Sequence, residues 1–307
     1  MTGQYRPEGL AQQLTYTMGE LQRAMETGRI LEARALLCDE HYNLEVELGC
    51  TRGIIPHEEC AAGIAEGTVK NIAVITRVGR SVCFKVQSIE EGVVTLSRRA
   101  AQEALYKEVL GRLRAGDIIA CAVTRLAAFG AFVDVGCGVI SLISIDNISV
   151  SRIPHPGVRF HEGQQLRAVV KGYAPESKRL YLSHKELLGT WAENVAGFAM
   201  GQTVPGIVRS VEHYGVFVEL APNLAGLAEY QEGVAVGDVA IVYIKSILPD
   251  RMKIKLVIAD HFKGDGEATP FRYFVQEDHL DRWRYSPEEC GRVIETVFEG
   301  SGENTRS

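Results

Sequence analysis

Three stretches of this chain are variants of one another: Tyr42-Asn-Leu-Glu-Val-Glu-Leu-Gly49, Phe129-Gly-Ala-Phe-Val-Asp-Val-Gly136 and Tyr214-Gly-Val-Phe-Val-Glu-Leu-Ala221. They lie 87 and then 85 residues apart. Other landmarks recur around them in the same order. Gly28, Gly116 and Gly201 open the units, and a glycine before an apolar run returns at Gly79, Gly163 and Gly237. The units close on Thr95-Leu-Ser, Tyr181-Leu-Ser and Lys255-Leu-Val. Self-similarity across several landmarks at a fixed period indicates tandem structural repeats.

Within a unit the apolar residues alternate, as in a half-buried strand, and the glycine after Phe129 or Tyr214 marks a hairpin bend. About five such strands in some 70 residues suit a small Greek-key barrel of the OB type. The expected fold class is therefore all-β: three tandem five-stranded barrels joined by short helices, with an N-terminal helix and a short mixed tail. The expected boundaries are 1–27 for the helix, 28–100, 115–184 and 199–260 for the barrels, 101–114 and 185–198 for the linker helices, and 261–307 for the tail. Ser183 and Glu186 are spaced as a capping box before the second linker. Leu10, Leu14, Met18, Leu21 and Met25 form one apolar stripe at helical spacing, a face for the first barrel or for a docked protein. Ser286-Pro287-Glu288-Glu289 reads as a helix start that would end at Gly300. Phe271, Phe274, Trp283, Tyr285 and Phe298 are expected to pack the tail onto the third unit.

Composition sets the outer limits. The chain has 307 residues with a formal charge of −6, which argues against coating a duplex by charge alone but not against gripping single strands by stacking. Seven widely spaced cysteines, without a C-x-x-C pair, read as buried reduced thiols. Cys50, His57 and Cys60 do not have usual zinc spacing, so no metal and no cofactor are expected. The nucleophile-elbow, phosphate-loop and zincin motifs do not occur, and no enzymatic activity is expected. With no apolar run of membrane length and no secretion signal, the expected location is cytoplasmic.

Strand alternation assigns faces. Ala131, Val133 and Val135 point inward, which leaves Phe132 and Asp134 outside; Val216, Val218 and Leu220 leave Phe217 and Glu219 outside. Arg179, Tyr181, Lys253 and Lys255 fall on the outer face of the last strands. An outward ring, a second ring at the bend (Phe129 or Tyr214) and nearby cations form a platform for stacked bases and their phosphates. Arg125, Arg152, Lys171 and Arg209 read equally as solvated charge and as phosphate contacts, with Arg125 and Lys171 taken into the candidate set; His155 and His161 are optional contacts. Residues 113–190 hold 9 Lys/Arg against 6 Asp/Glu, and residues 199–260 hold 5 against 7, which favours the second unit for the contact. Unit one has Glu45 and Glu47 facing out and Val93 where unit two has Arg179. A carboxylate repels a phosphate backbone, so this unit is expected to dock on a protein.

The run Phe129–Gly136, the following Gly-Val-Ile and Arg179-Leu-Tyr-Leu-Ser-His-Lys-Glu resemble the RNA-binding OB repeat named after ribosomal protein S-one. The resemblance covers residues 28 to about 260, and the arrangement is similar to the shorter proteins of that family in Gram-positive bacteria. It implies single-stranded mRNA as ligand, stacking roles for Phe129, Phe132, Tyr214 and Phe217, and a basic role for Arg179 and Lys253. Through Gly53-Ile-Ile-Pro-His-Glu-Glu59 and Val94-Thr-Leu-Ser-Arg-Arg99 it also implies attachment of the first repeat to the small subunit; the N-terminal helix is expected to join that contact, and the chain to be a monomer off the ribosome. Ser141 and Glu229 stand where the family often has a histidine, and Ala174-Pro175 where it has an acidic loop residue. A ribosome-independent RNA regulator and a protein-binding scaffold are the alternatives.

Overall fold

A computed structural model describes residues 5–174, 179–264 and 270–298. The chain forms three closed five-stranded barrels in series. Barrel one contains β1 (Leu31–Cys38), β2 (Leu44–Glu47), β3 (Arg52–Ile55), β4 (Ser81–Glu90) and β5 (Val93–Ser97). Barrel two contains β6 (Ile118–Ala127), β7 (Gly130–Asp134), β8 (Ile140–Ser144), β9 (Gln165–Ala174) and β10 (Arg179–Ser183). Barrel three contains β11 (Thr203–Glu212), β12 (Gly215–Ala221), β13 (Leu224–Ala228), β14 (Val239–Leu248) and β15 (Lys253–Phe262). In each, the third strand pairs in parallel with the fifth, closing an otherwise antiparallel sheet. Closure leaves no free sheet edge.

The alternation read from sequence is the alternation observed. Leu44, Val46, Ala131, Val133, Val216 and Val218 are all fully buried in their barrels. Close packing also dictates small residues at set places. A Cβ on Gly130 or Gly215 would sit 2.4 Å from the carbonyl oxygen of Ile143 or Ala228 on the next strand. At the matching place barrel one has Asn43, whose side chain accepts from the His57 amide at 2.9 Å and donates to Asp39 at 2.8 Å.

The connections differ from the sequence expectation in three places. The N-terminal helix α1 is short, Met18–Thr27, with Thr17 and Glu20 as its capping box. Leu10 and Leu14 precede it, Met18 is exposed, and Leu21 is fully buried in the core of barrel one with Met25 packed against it. The stripe therefore does not make a continuous helical face, because only Met18, Leu21 and Met25 lie on the helix; residues 5–9 run away as a strap described below. The region between barrels two and three is not one helix either. Lys185–Leu188 form a 3-10 turn, Gly189 breaks it at φ 80°, and α4 (Trp191–Val195) starts afresh with a Thr190–Glu193 capping box. Ser183 does bond Glu186, but inside the protein, where both are buried.

In the tail, no helix forms over 286–298. Ser286 Oγ caps a different segment, accepting from the Ile294 amide at 3.1 Å, and β16 (Arg282–Arg284) pairs with β17 (Glu295–Val297). The expected stop at Gly300 lies outside the described residues. The tail also packs on two barrels instead of one. Trp283 and Tyr285 join the core of barrel three, while Phe271 and Tyr273 pack against His184 and Phe160 of barrel two. Among the described residues the remaining α-helices are α2 (Ile72–Ile75) and α3 (Arg98–Glu108), which links barrels one and two.

Candidate nucleic-acid interface

Strand register brings one outward row of side chains across each barrel. In barrel two Arg125 pairs with Phe132, Phe132 with Leu142, and Leu142 with Tyr181. The Arg125 guanidinium carbon lies 5.2 Å from the centre of the Phe132 ring. Phe129, at the bend, meets Phe132 edge to face with centroids 5.8 Å apart. Phe132 is half-buried by these neighbours, whereas Phe129 and Tyr181 are 56% and 54% exposed. Opposite Tyr181 stands Gly172, with nothing within 4 Å of where a Cβ would be, so that side of the ring is open.

A β-bulge adds the cation. The register shifts between Tyr181 and Leu182, leaving Lys171 as the unpaired extra residue on β9. Bulges turn a side chain away from the regular pleat, and Lys171 is exposed, its Nζ 3.5 Å from Asn147 Oδ1. Arg179 is exposed at the start of β10. The structure thus gathers Arg125, Phe129, Phe132, Lys171, Arg179 and Tyr181 on one face.

Barrel three repeats the arrangement with fewer aromatic positions. Its row is Ser210, Phe217, Leu227 and Lys255. Tyr214 is exposed and meets Phe217 at 6.1 Å, with His213 5.0 Å from Tyr214 on its other side. Lys253 and Lys255 are exposed on β15. The bulge position corresponding to Lys171 is Lys245, also exposed, which the sequence reading did not pick out. The recurrence of Val-Lys-Gly and Ile-Lys-Ser ahead of the last strand was the available signal.

Barrel one keeps the register and changes every side chain in it. Its row is Leu37, Glu45, Ile54 and Thr95, and Gln87 takes the bulge. Glu45 is paired with Arg52 at 2.6 Å. Leu37, Ile54 and Val93 are exposed, so the face is apolar with one neutralised carboxylate.

Two residues read as outward, Asp134 and Glu219, are outside their barrels but covered. Asp134 is buried under the N-terminal strap: its carboxylate accepts from the amides of Glu8 at 2.8 Å and Gly136 at 2.7 Å. Burial, with the nearby Glu8 carboxylate, pushes Asp134 up to about 7. Glu8 in turn accepts from Arg98 Nε at 2.7 Å and from the Cys83 amide of barrel one at 3.0 Å. Glu219 is buried between Arg159, from the β8–β9 connection of barrel two, and Arg209, at 2.9 Å. Arg209 is therefore consumed in a joint between barrels and is not open to a phosphate.

The register also moves one expectation. Ala131 pairs with Ile143 and Val216 with Ala228, so Ser144, not Ser141, stands level with Glu229. Ser141 faces inward, buried, donating to the Leu180 carbonyl. Of the expected Ala174-Pro175 departure, Pro175 lies outside the described residues. His155 and His161 are exposed; His155 Nδ1 accepts from the Gly157 amide at 3.0 Å. Cys60 hydrogen-bonds backbone carbonyls, His57 faces Asn71 at 2.9 Å, and among the described residues no cluster could hold a metal ion. No helix among them is long and apolar enough to cross a membrane.

Residues 112–185, barrel two, match the S1 RNA binding domain family. Over 219 residues, 69% of its length, the chain is 31% identical to the small ribosomal subunit protein bS1 of Staphylococcus aureus (strain COL), and 32% identical to that of Staphylococcus haemolyticus (strain JCSC1435). It spans about half the length of these curated relatives, 54%. Among solved structures, a multidomain protein with nucleic acid binding domains from Streptococcus pneumoniae is 17% identical with a TM-score of 0.25, covering 76% of this chain and 73% of that one. Tandem barrels in one register, a matched S1 domain in the second and similarity running across most of the chain give one conclusion: the chain belongs to the family of S1-repeat proteins similar to the shorter Gram-positive bS1.

Proposed function

We propose that this chain binds single-stranded RNA on the outer faces of barrels two and three and holds unstructured mRNA at the small ribosomal subunit. The carrying observation is the aligned row of Arg125, Phe132 and Tyr181, with Phe129 at its end and Lys171 beside it. Flat faces for bases next to fixed cations for phosphates are what a strand without sequence preference requires, and each stacked base contributes about 1–3 kcal/mol. Binding, not catalysis, is the chemistry such a row supports.

Barrel two is the stronger contact in this reading, since it has two rings and Arg125 where barrel three has one ring and Ser210 in the row. Barrel one is the docking unit. Its exposed Leu37, Ile54 and Val93 suit a protein surface and offer a base nothing to stack on. The S1 name of the matched domain and the ribosomal relatives support the same assignment.

Fluorescence anisotropy with a single-stranded 12-mer RNA tests the first part. Binding that weakens with salt and survives substitution in barrel one supports it; absence of binding by the intact protein refutes it. Co-sedimentation with small subunits tests the second. The Ile54→Lys/Val93→Lys variant is expected to sediment poorly while binding the 12-mer normally. Substitution is preferable to deletion of residues 1–100, because Tyr5 and Cys83 belong to the packed cluster that continues into barrel two.

A further inference from the structure

A groove of about 610 Å³ lies between the β8–β9 connection, the turn after β10 and the tail, and three of its four charged lining residues are cationic. Arg152 comes from the β8–β9 connection, Lys185 from the 3-10 turn after β10 and Arg292 from the tail, with Ser149, Ser151 and three isoleucines between them. One carboxylate, Asp146, also lines it. The groove is anchored by Asn223, at the tip of the β12–β13 hairpin. Its Oδ1 accepts from Ser149 Oγ at 2.9 Å and the Val150 amide at 2.8 Å, and its Nδ2 donates to the Lys185 carbonyl at 3.0 Å. The Tyr285 hydroxyl closes on the Asn223 carbonyl.

The other arginines on this side are used up by the fold. Arg159 and Arg209 hold Glu219, Arg282 holds Glu295, and Arg167 donates to the carbonyls of Val275 and Glu277. Arg152 and Arg292 differ: both are exposed, and among the described residues neither is in an ion pair or donates a hydrogen bond that holds it. Lys185 Nζ reaches only the Asp146 carbonyl, at 3.1 Å. The groove also starts at the stacking platform. The Ile145 amide donates to the Phe129 backbone carbonyl at 2.9 Å, so the groove's first residue is bonded to the residue that carries the ring at the bend.

We infer that this groove takes the phosphates of the RNA strand leaving Phe129, carrying it from barrel two toward barrel three. The inference rests on the RNA-binding reading above and adds the path between the two platforms. A strand held this way contacts both barrels as one ligand, and the tail becomes part of the binding surface through Arg292.

The test is the salt dependence of binding by the full chain. For single strands, log K falls with log salt by about 0.7 per phosphate contact. With the 12-mer, Arg152→Ala/Arg292→Ala is expected to lower that slope by about 1.4, while affinity for a 4-mer, too short to leave the platform, is unchanged. The control pair Arg23→Ala/Arg34→Ala, exposed on barrel one and its helix, should leave the slope alone. A groove variant whose 12-mer slope equals that of the control pair overturns the path while leaving RNA binding intact. An equal loss with the 4-mer also overturns it, since the arginines would then serve the platform itself. Failure of the unaltered protein to bind either RNA sinks both readings. Competition of an acidic peptide for the 12-mer that persists in the groove variant would place peptides elsewhere, and loss of peptide binding without any RNA effect would replace the proposed occupant.

Discussion

Barrels one and two have the same strand order, the same register and bulges at the same places, yet their outer faces are chemically opposite. Position by position, Leu37 answers Arg125, Glu45 answers Phe132, Thr95 answers Tyr181, Gln87 answers Lys171 and Val93 answers Arg179. Inward residues cannot vary so freely, because each fills a close-packed interior. The difference teaches that the barrel is a mount with a fixed core, and that function is written in about five outward positions set by register.

The same comparison extends to the joints. Glu47, Asp134 and Glu219 are repeats of one position. Glu47 merely accepts from the amide of its own turn at Gly49, 2.9 Å away. Asp134 receives the N-terminal strap, and Glu219 receives Arg159 of the preceding barrel. Each later barrel is thus fixed to what precedes it through the acid at or near the end of its second strand.

The largest expected effect tests that second joint. Arg159→Ala leaves the Glu219 carboxylate buried with only Arg209, and breaking a buried pair costs about 3–5 kcal/mol. Denaturant unfolding should register a loss of that order, whereas Arg52→Ala at the exposed pair of barrel one should change stability by under about 1 kcal/mol. Equal effects would mean that the two barrels do not differ in how this surface is used.

Next in size is the platform. Phe132→Ala is expected to weaken binding of the 12-mer by roughly 1–3 kcal/mol, and Phe217→Ala by less, because Ser210 and Lys255 in barrel three supply no ring or guanidinium beside it. Anisotropy titrations at one salt concentration give the order directly. The converse substitution, Glu45→Phe, is expected to raise the affinity of barrel one's face by less than tenfold, since the neighbouring cations remain absent. A gain as large as the Phe132→Ala loss would show that one ring suffices.

The smallest effect is on pH. Asp134, raised to about 7 by burial and by Glu8, binds its proton more tightly folded than unfolded, so this joint gains stability as pH falls from about 7 toward 4. His184 behaves oppositely. Burial beneath Phe160 and Phe271 lowers it to about 3, so the unfolded state takes up the proton first, and the joint between tail and barrel two loses stability as pH falls below about 6.5. Hydrogen exchange at pH 7.5 and 5.5 should show amides near Asp134 becoming better protected and those near His184 less so. Asp134→Asn should abolish the first trend alone.

What could be read from sequence follows from the range of each signal. Phe132 and Phe217 were legible because a strand's alternation is local and rigid. That Asp134 and Glu219 face out was legible for the same reason. Their burial was not, because the covering groups, Glu8 and Arg159, are 126 and 60 residues away. Alternation assigns no face to a bulge residue, so Lys171 is legible only as a cation in a net-basic unit, and Lys245, in a net-acidic one, is not. The Ser286 cap signal was chemically sound, but its hydroxyl satisfies the Ile294 amide, and strand pairing with β17 replaces the helix.

The central claim is that RNA lies on the outward rows of barrels two and three and not on that of barrel one. Ultraviolet crosslinking of the full chain to a uridine-rich single strand, with adducts located by mass spectrometry, reads this most directly. Adducts should fall on Phe129, Phe132, Tyr181 and Tyr214, with Tyr42 of barrel one unmodified. Adducts concentrated at Tyr42, or absent from barrel two, would contradict it.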